Sequence, residues 1–366
     1  MARLIISGGG TGGHVFPAIA IADAIKLQSP ESEILFVGAL GKIEMEKVPK
    51  AGYNIKGLWI SGFQRKLSFR NLVFPIKLGY SMIKAGLIFR KFKPNVAIGV
   101  GGYASGPILK IANYFGIPTV LQEQNSYAGV TNRLLASKAS KVCVAYDGME
   151  RFFPKDKIIF TGNPVRKDIL DQKIDRKKAN VQFGLDPKNK TVLVFGGSLG
   201  AKTINEAIAS NAEFLNEMTN VNLIWQVGKI YYNDYKNCQL SQRDNTVILP
   251  FIENMDAAYS AADIVVCRAG ALTISELSIL GKAAILIPSP NVAEDHQTVN
   301  ANALVNREAA ILIKDKEAKS KLIEVLKDVL ANDEKRKILQ KNIVYFSRPD
   351  AAIKIAEEIL KVCNPL

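Results

Sequence analysis

Two glycine-rich segments of the sequence have the composition of phosphate-binding turns. The first is GGGTGGH at residues 8–14, and the second is GGSLG at residues 196–200. Each follows a short apolar run and precedes a helical pattern, so each predicts a strand–turn–helix unit. Backbone N–H groups at a helix N-terminus bind phosphate, and glycine lets the ligand approach because it has no Cβ. Both segments predict anion sites, although a purely structural turn fits the same spacing.

The first segment also has the GxGxxG spacing of dinucleotide-binding oxidoreductases, at Gly8, Gly10 and Gly13. That class needs a carboxylate at the end of the second strand, where it binds the ribose hydroxyls. Here the second predicted strand, which starts at Glu33, runs into Gly-Ala-Leu-Gly at residues 38–41, with no acid. The sequence therefore disfavours dehydrogenase chemistry.

Two side chains near such helix starts have chemistry of their own. His14, one of only two histidines, follows the first glycine segment, and an ordinary pKa near neutrality suits a general base. A histidine that only orients a substrate or caps the helix fits this position equally. Glu276 lies one turn inside a helix predicted to open at Ala271, and its two carboxylate oxygens can accept both hydroxyls of a ribose. On the residues alone, a cap with an exposed acid is the simpler interpretation there.

The elements that must position these residues indicate an α/β protein of two domains. A chain of 366 residues with 48% apolar content is longer than one hydrophobic core usually organises. Apolar runs alternate with amphipathic stretches, which predicts parallel sheets covered by helices. The two strand–turn–helix units predict Rossmann-like domains at residues 1–163 and 164–348, with the last helix, within 349–366, packing back on the first domain.

Cysteine usage and apolar run lengths bear on the compartment. The four cysteines are scattered without a CxxC pair, which fits a reducing compartment and disfavours a thiolate metal site. No dense cluster of histidines and acids has metal-ligand spacing. There is no recognisable leader, and no apolar run reaches the roughly 20 residues that span a bilayer. We expect a cytosolic protein that can still touch a membrane.

The net charge of +14 is concentrated in one acid-free region between Glu46 and Glu123. Such a patch attracts nucleic acid or an anionic membrane surface. Nucleic acid is disfavoured, because no aromatic stacking positions are interleaved with the bases and no reader motif is present. The bases of the region are Lys47, Lys50, Lys56, Arg65, Lys66, Arg70, Lys77, Lys84, Arg90, Lys91, Lys93 and Lys110.

Within this region, a helix predicted over residues 75–92 mixes apolar and basic side chains. It is too short and too charged to span a bilayer, but it can lie on one with its apolar residues at the acyl boundary. An ordinary amphipathic helix that covers the sheet fits the same pattern. The apolar residues are Leu72, Val73, Phe74, Ile76, Leu78, Met82, Ile83, Leu87, Ile88 and Phe89.

Six segments of the sequence occur in a fixed order that is known from one family. They are GGGTGGHVFP at 8–17, GGYASGP at 101–107, EQN with AG and TN within 123–132, GGSLGA at 196–201, RAGALTISE at 268–276, and residues 294–297. Together they resemble the MurG family of peptidoglycan glycosyltransferases. These enzymes add N-acetylglucosamine from UDP-N-acetylglucosamine to undecaprenyl-diphosphate-linked N-acetylmuramyl pentapeptide (lipid I), which yields lipid II.

The resemblance implies a GT-B fold, in which two Rossmann-like domains face each other across a central cleft. It implies that the acceptor binds mainly to the first domain and the sugar nucleotide to the second. It also implies inversion at the anomeric carbon with no obligatory metal or other cofactor. The implied location is the cytoplasmic face of the cell membrane, where the protein is peripheral and contacts anionic lipid but no nucleic acid.

The resemblance further assigns roles to individual residues. His14 becomes the general base, Glu276 the ribose ligand, and Gly102 and Tyr103 acceptor contacts. Contacts to the donor sugar or the acceptor diphosphate are implied for Thr11, Gly12 and Gly13, and a contact to the diphosphate for Arg166. Contacts to sugar hydroxyls or the acetamido group are implied for Asn125 and Gln297, and a contact to uracil for Ile252. Phosphate contacts are implied for Ser198 and for the helix start at Ala271, Leu272, Thr273, Ile274 and Ser275.

The sequence departs from the family pattern at two places. His296 and Thr298 flank Gln297 where many relatives carry a second glutamine after it, so one sugar contact is lost or rebuilt. Gln122 stands where some relatives have histidine, which removes a second candidate base. A different GT-B enzyme, such as a glycolipid glycosyltransferase or a UDP-N-acetylglucosamine 2-epimerase, would keep the glycine turns and the ribose acid. It would not require the segments at 101–107 and 123–132 together.

Overall fold

The computed structural model describes residues 1–62, 73–171 and 174–363, apart from the side chains of Asp168 and Ala293. The chain divides into two compact units. The first comprises Met1–Arg166 and Arg348–Leu366, and the second comprises Lys167–Ser347. Of the residues named for the basic region and its helix, Arg65, Lys66, Arg70 and Leu72 lie outside the described part of the chain.

The first unit contains a seven-stranded parallel sheet. Its strands are β1 (Arg3–Ser7), β2 (Glu33–Ala39), β3 (Asn54–Leu58), β4 (Val96–Gly99), β5 (Thr119–Glu123), β6 (Lys141–Val144) and β7 (Ile158–Phe160). Its helices are α1 (Gly12–Gln28), α2 (Glu44–Lys50), α3 (Phe74–Phe92), α4 (Ser105–Tyr114) and α5 (Val130–Leu135), and the last helix of the chain, Ala351–Cys363, also belongs to it.

The second unit contains a six-stranded parallel sheet. Its strands are β8 (Lys190–Phe195), β9 (Val221–Gln226), β10 (Thr246–Leu249), β11 (Ile264–Cys267), β12 (Ala283–Leu286) and β13 (Ile311–Leu312). Its helices are α6 (Lys167–Leu170), α7 (Arg176–Gln182), α8 (Lys202–Ala209), α9 (Ala212–Glu217), α10 (Tyr232–Tyr235), α11 (Met255–Ala261), α12 (Ala271–Ile279), α13 (His296–Val305), α14 (Ala318–Ala331) and α15 (Asp333–Ile343). The last helix of the chain is therefore α16.

Both faces of each sheet are buried under helices, which is why the strands are nearly continuous apolar runs. In β1, Leu4 and Ile6 face the core beneath α1 and α16, whereas Ile5 faces the opposite core. Helix α16 packs against α1, and the Gln28 amide donates to the carbonyl of Ile353 at 3.0 Å. Among the described residues, no helix combines the length and the apolar character needed to cross a membrane.

The strand orders place one topological switch point in each sheet. The first sheet runs β3-β2-β1-β4-β5-β6-β7, and the second runs β10-β9-β8-β11-β12-β13. Strands are therefore added in opposite directions on the two sides of the pairs β1–β4 and β8–β11. Parallel α/β sheets bind ligands outside the carboxyl ends of the strands at such a point. Both predicted glycine turns leave a strand of these pairs.

Helix α1 begins earlier than the sequence predicts. The small apolar residues of Pro17–Lys26 predict a helix that starts at Pro17, and proline is favoured at the first helical position. The structure begins the helix at Gly12, directly within the glycine turn, and Pro17 lies inside it. Proline has no backbone N–H, so α1 lacks the helical hydrogen bond from residue 17 to the carbonyl four residues earlier. This part of the helix therefore depends more on packing for its stability. The consequence is that His14 lies in the first helical turn.

Candidate active site

Two glycine turns meet at the switch point of the first unit. One follows β1 at Gly8–Gly10, and the other follows β4 at Gly101–Gly102. A Cβ on Gly102 would collide with the carbonyl oxygen of Gly9, and Gly102 has a φ of +86°. Both its φ and its surroundings therefore require glycine, and the two sequence motifs form one surface.

His14 lies where these two turns meet. Its Nδ1 is 3.3 Å from the hydroxyl oxygen of Thr11, and a Cβ on Gly101 would lie 2.8 Å from its Nε2. A neutral imidazole carries its proton on one nitrogen, and the partner of that nitrogen decides which. If Nδ1 donates to Thr11, Nε2 has the lone pair that a base needs.

Glu44 is a functional residue that sequence reasoning missed. The sequence indicates that no acid follows β2, yet Glu44 of α2 brings its carboxylate to the end of that strand. Its Oε1 accepts from the N–H of Ala39 at 2.9 Å, and its Oε2 accepts from the N–H of Gly10 at 2.8 Å. The residue is only 1% exposed. The carboxylate is directed at the backbone and fixes the first glycine turn.

Replacing Glu44 with glutamine should lower the free energy of unfolding by about 1–3 kcal/mol, since an amide NH₂ would face one of the two buried N–H donors. Urea unfolding measures this change. Glu46→Gln on the same helix is the matched control, because Glu46 makes only surface ion pairs with Lys47 and Lys50. Equal stability of the two variants would contradict the assigned role.

The loop after β5 is held by a buried carboxylate. Glu123 accepts from the N–H of Gly129 and the side-chain amide of Asn132, both at 2.9 Å. Burial raises the pKa of Glu123 above its ordinary value, and the hydrogen bonds donated to it partly offset this. The predicted sugar ligand Asn125 also donates to Glu123, from its backbone at 3.1 Å and its side chain at 3.3 Å. Glu123 therefore orients the Asn125 side chain.

Arg166 contacts the helix that carries His14. Its guanidinium carbon lies 5.2 Å from the centroid of the Phe16 ring, and a Cβ on Gly12 would lie 3.2 Å from the same ring. A guanidinium over an aromatic face keeps its charge and its donors while its stem is held in place. Through the Phe16 ring, the predicted diphosphate ligand Arg166 is thus linked to the start of α1 at Gly12.

In the second unit, the predicted phosphate-binding helix α12 begins at Ala271 as expected. No side chain of the described residues caps its N-terminus, and its first turn contains no acid. The first helical bond runs from the N–H of Ile274 to the carbonyl of Gly270. The N–H groups before Ile274 therefore have no partner within the helix, and the helix dipole favours an anion there. Ile274, which the sequence also predicted as a phosphate contact, has a buried side chain and uses its N–H within the helix, so neither group is a donor to phosphate.

Glu276 is not the exposed acid of the simpler interpretation. Its Oε2 accepts a hydrogen bond of 2.8 Å from the phenolic hydroxyl of Tyr259, a fully buried residue of α11. Ser275, its neighbour, donates its hydroxyl to the carbonyl of Ala271 at 3.0 Å. Oε2 of this carboxylate is therefore anchored to α11, within the first two turns of α12.

Gln226, at the end of β9, is a second residue that the sequence did not reveal. Its side chain donates to the carbonyl of Gly197 at 2.7 Å and accepts from the N–H of Ile252 at 3.1 Å. This link fixes the glycine turn that contains Ser198 relative to the segment after β10. The N–H of Ile252, the predicted uracil contact, is thus engaged, and the residue is only 4% exposed.

Gln297 lies at the start of α13, after a strained segment. Glu294 and Asp295 have φ values of +56° and +49°, a region that costs side-chain-bearing residues of order 1–3 kcal/mol. The side-chain amide oxygen of Gln297, Oε1, accepts a hydrogen bond of 2.8 Å from the N–H of Ser289. Thr298 donates to Asp295 at 2.7 Å, so it supports the loop instead of replacing a glutamine.

Two family models match the chain, one for each half. The model of the glycosyltransferase family 28 N-terminal domain matches residues 4–144, and that of the family 28 C-terminal domain matches residues 191–355. The chain belongs to glycosyltransferase family 28. Both family 28 domains contain one of the switch points described above.

Relatives of this family 28 chain match it over nearly its full length. A protein of Bacteroides fragilis is 54% identical over 364 residues, covering 99% of this chain and 96% of that protein. A protein of Cytophaga hutchinsonii is 54% identical over 362 residues, covering 99% and 97%. Both are named UDP-N-acetylglucosamine–N-acetylmuramyl-(pentapeptide) pyrophosphoryl-undecaprenol N-acetylglucosamine transferase. The resemblance to the MurG family is confirmed.

Solved structures agree on the fold of this family 28 member. The crystal structure of Acinetobacter baumannii MurG has a TM-score of 0.75 at 28% identity, covering 99% of this chain and 100% of that chain. The structure of UDP-GlcNAc 2-epimerase from Neisseria meningitidis bound to UDP-GlcNAc has a TM-score of 0.71 at 16% identity, covering 99% and 100%. The second likeness shows the fold alone. The predicted GT-B fold is confirmed, with one parallel α/β sheet in each unit.

Proposed function

We propose that this chain transfers N-acetylglucosamine from UDP-N-acetylglucosamine to undecaprenyl-diphosphate-N-acetylmuramyl pentapeptide, which converts lipid I into lipid II. One observation at the second switch point carries the proposal. The N-terminus of α12 has no side-chain cap, and the same helix carries Glu276, whose carboxylate is hydrogen-bonded to the buried Tyr259. The names of the full-length relatives identify which sugar nucleotide and which acceptor this site serves.

The donor nucleotide is assigned to the second unit. The diphosphate binds to the N–H groups of Ala271, Leu272 and Thr273, with Ser198 of the glycine turn as a further donor. Glu276 accepts the ribose hydroxyls, and the carbonyl of Ile252 contacts the uracil. Gln297 donates to the sugar.

The acceptor is assigned to the first unit, around His14. The acceptor hydroxyl loses its proton to Nε2 of His14 as its oxygen bonds to the anomeric carbon, and the bond from that carbon to UDP breaks with its electron pair on the diphosphate. One displacement from the face opposite the leaving group inverts the anomeric centre. Thr11, which contacts His14, and Arg166 and Asn125 are assigned to binding the acceptor. Charge that develops on the departing diphosphate is stabilised at the start of α12.

A membrane-binding surface is assigned to the outer face of α3. Ile76, Ile83 and Leu87 are 64%, 69% and 59% exposed, and their spacing places them along one side of the helix. Phe89 of the predicted stripe is instead buried in the core, so α3 has one apolar face inward and another outward. Exposed Arg90 and Lys91 flank the outer face. These residues hold the protein peripherally at the cytoplasmic leaflet, where the acceptor's polyprenyl tail stays in the lipid.

Reversing the charges in Lys84→Glu, Arg90→Glu and Lys91→Glu together should weaken binding to anionic vesicles by about a hundredfold or more, as each base near the surface contributes about 1 kcal/mol. Sedimentation with phosphatidylglycerol vesicles measures the partition coefficient. The matched control reverses Lys177, Lys178 and Lys188, three exposed bases of the second unit. Equal partitioning of the two triple variants would show that the outer face of α3 does not bind the membrane.

Transfer of radiolabelled N-acetylglucosamine tests the proposed reaction. The protein is incubated with labelled UDP-N-acetylglucosamine with and without the lipid-linked muramyl acceptor, and the label in the lipid extract is counted. The proposal predicts acceptor-dependent label in a lipid of the mass of lipid II. Conversion of the sugar nucleotide to its 2-epimer without any acceptor would instead identify an epimerase.

A further inference from the structure

Tyr259 places a phenolic hydroxyl group in the interior of the second unit. The residue is fully buried, and its ring packs at 6.1 Å and 73° against the ring of Phe195, at the end of β8. A buried hydroxyl without a hydrogen-bond partner costs free energy. Phenylalanine is therefore expected instead of tyrosine at a core position where no hydrogen bond is made. Here the hydroxyl donates to Glu276 at 2.8 Å. The oxygen therefore has a specific partner, the carboxylate assigned to the ribose.

The contact joins two residues that are distant in the chain but adjacent at the switch point. Tyr259 is on α11, Glu276 is on α12, and β11 connects the two helices at the centre of the sheet. A glutamate on a helix surface has several rotamers, and each hydrogen bond to ribose must overcome the loss of that freedom. Tyr259 is immobile because its ring is enclosed. Its hydrogen bond to Oε2 selects one orientation of the carboxylate.

We propose that Tyr259 is a positioning residue for nucleotide recognition, which acts by holding Glu276 in the orientation that accepts the ribose hydroxyls. This inference rests on the proposed donor site and deepens it. Tyr259 touches no part of the donor; it acts through the carboxylate. Such supporting hydrogen bonds determine whether a binding group is held in its productive geometry. The effect must therefore depend on the ribose hydroxyls of the ligand.

The test compares UDP with 2′,3′-dideoxy-UDP by isothermal titration calorimetry, using the wild type and Tyr259→Phe. The variant keeps the ring and loses only the hydroxyl. Wild type should bind UDP more tightly than the dideoxy analogue. Tyr259→Phe should weaken UDP binding by about tenfold, the effect of one hydrogen bond to a charged group, while leaving the Kd of the dideoxy analogue unchanged. Tyr235→Phe, a tyrosine that packs against Trp225 in the same unit, is the matched control.

Three outcomes overturn one proposal or the other. Equal discrimination by wild type and Tyr259→Phe would show that Tyr259 does not position Glu276. A parallel loss of affinity for both nucleotides would assign it a merely structural role. If wild type itself does not discriminate, the ribose role of Glu276 fails, and that is a failure of the donor site rather than of Tyr259. In support, adding Tyr259→Phe to Glu276→Ala should cause no further loss of UDP affinity.

Discussion

Replacing His14 with alanine should lower kcat by about 10²- to 10⁴-fold, the usual contribution of a positioned general base. Without the imidazole, the acceptor hydroxyl must transfer its proton to water as it attacks. The Kd of UDP should stay at its wild-type value, because His14 and the nucleotide are assigned to different units. Steady-state transfer at saturating donor and acceptor gives kcat, and calorimetry with UDP gives the Kd.

The contact between Thr11 and His14 provides a second variant for this role. Thr11→Val removes the group that can accept from Nδ1, whereas Thr11→Ser retains a hydroxyl, so only the valine variant should lose turnover. Near-normal kcat of His14→Ala at saturating substrates would mean that another group removes the proton. The mechanism proposed for the first unit would then be wrong, although the donor site would be unaffected.

Replacing Glu276 with alanine should raise the donor KM by about tenfold to several hundredfold, because each lost hydrogen bond to a charged group is worth about 1.5–3 kcal/mol. At saturating donor, kcat should change little, since the ribose is remote from the bonds that form and break. Glu213→Ala, which removes an exposed acid of α9 in the same unit, is the control. Initial rates over a range of donor concentrations separate the two parameters.

Unchanged donor kinetics in Glu276→Ala would refute the ribose contact. A fall in kcat with an unchanged KM would instead place the carboxylate near the reacting atoms. The two variants together therefore test the assignment of one chemical task to each unit: His14 should affect turnover without nucleotide affinity, and Glu276 should affect nucleotide affinity with little change in turnover.

Local signals in the sequence were sufficient to predict the elements that carry the site. The strand that begins at Glu33 and the helix α12 that begins at Ala271 both start where their patterns indicate. Apolar run length, glycine and helical periodicity are properties of neighbouring residues, and they determine these elements directly. Helix α1 is the exception, because Pro17 is favoured at a first helical position and yet lies within the helix.

The residues that support the site were not predictable from local pattern. Glu44, Gln226 and Tyr259 each bond to a partner on another segment: Glu44 to Gly10, Gln226 to Gly197 and Tyr259 to Glu276. These pairs are brought together by the strand order at the two switch points. Spacing along the chain carries no information on that order. The sequence therefore predicts the residues that contact a ligand, and the structure identifies the residues that hold them in place.

A crystal structure of the protein with UDP-N-acetylglucosamine tests the central claim most directly. We predict that the ribose hydroxyls will lie within hydrogen-bonding distance of Glu276 and that the diphosphate will lie at the N–H groups of Ala271–Thr273. A donor bound instead at the glycine turn of residues 8–13, with α12 unoccupied, would contradict the account.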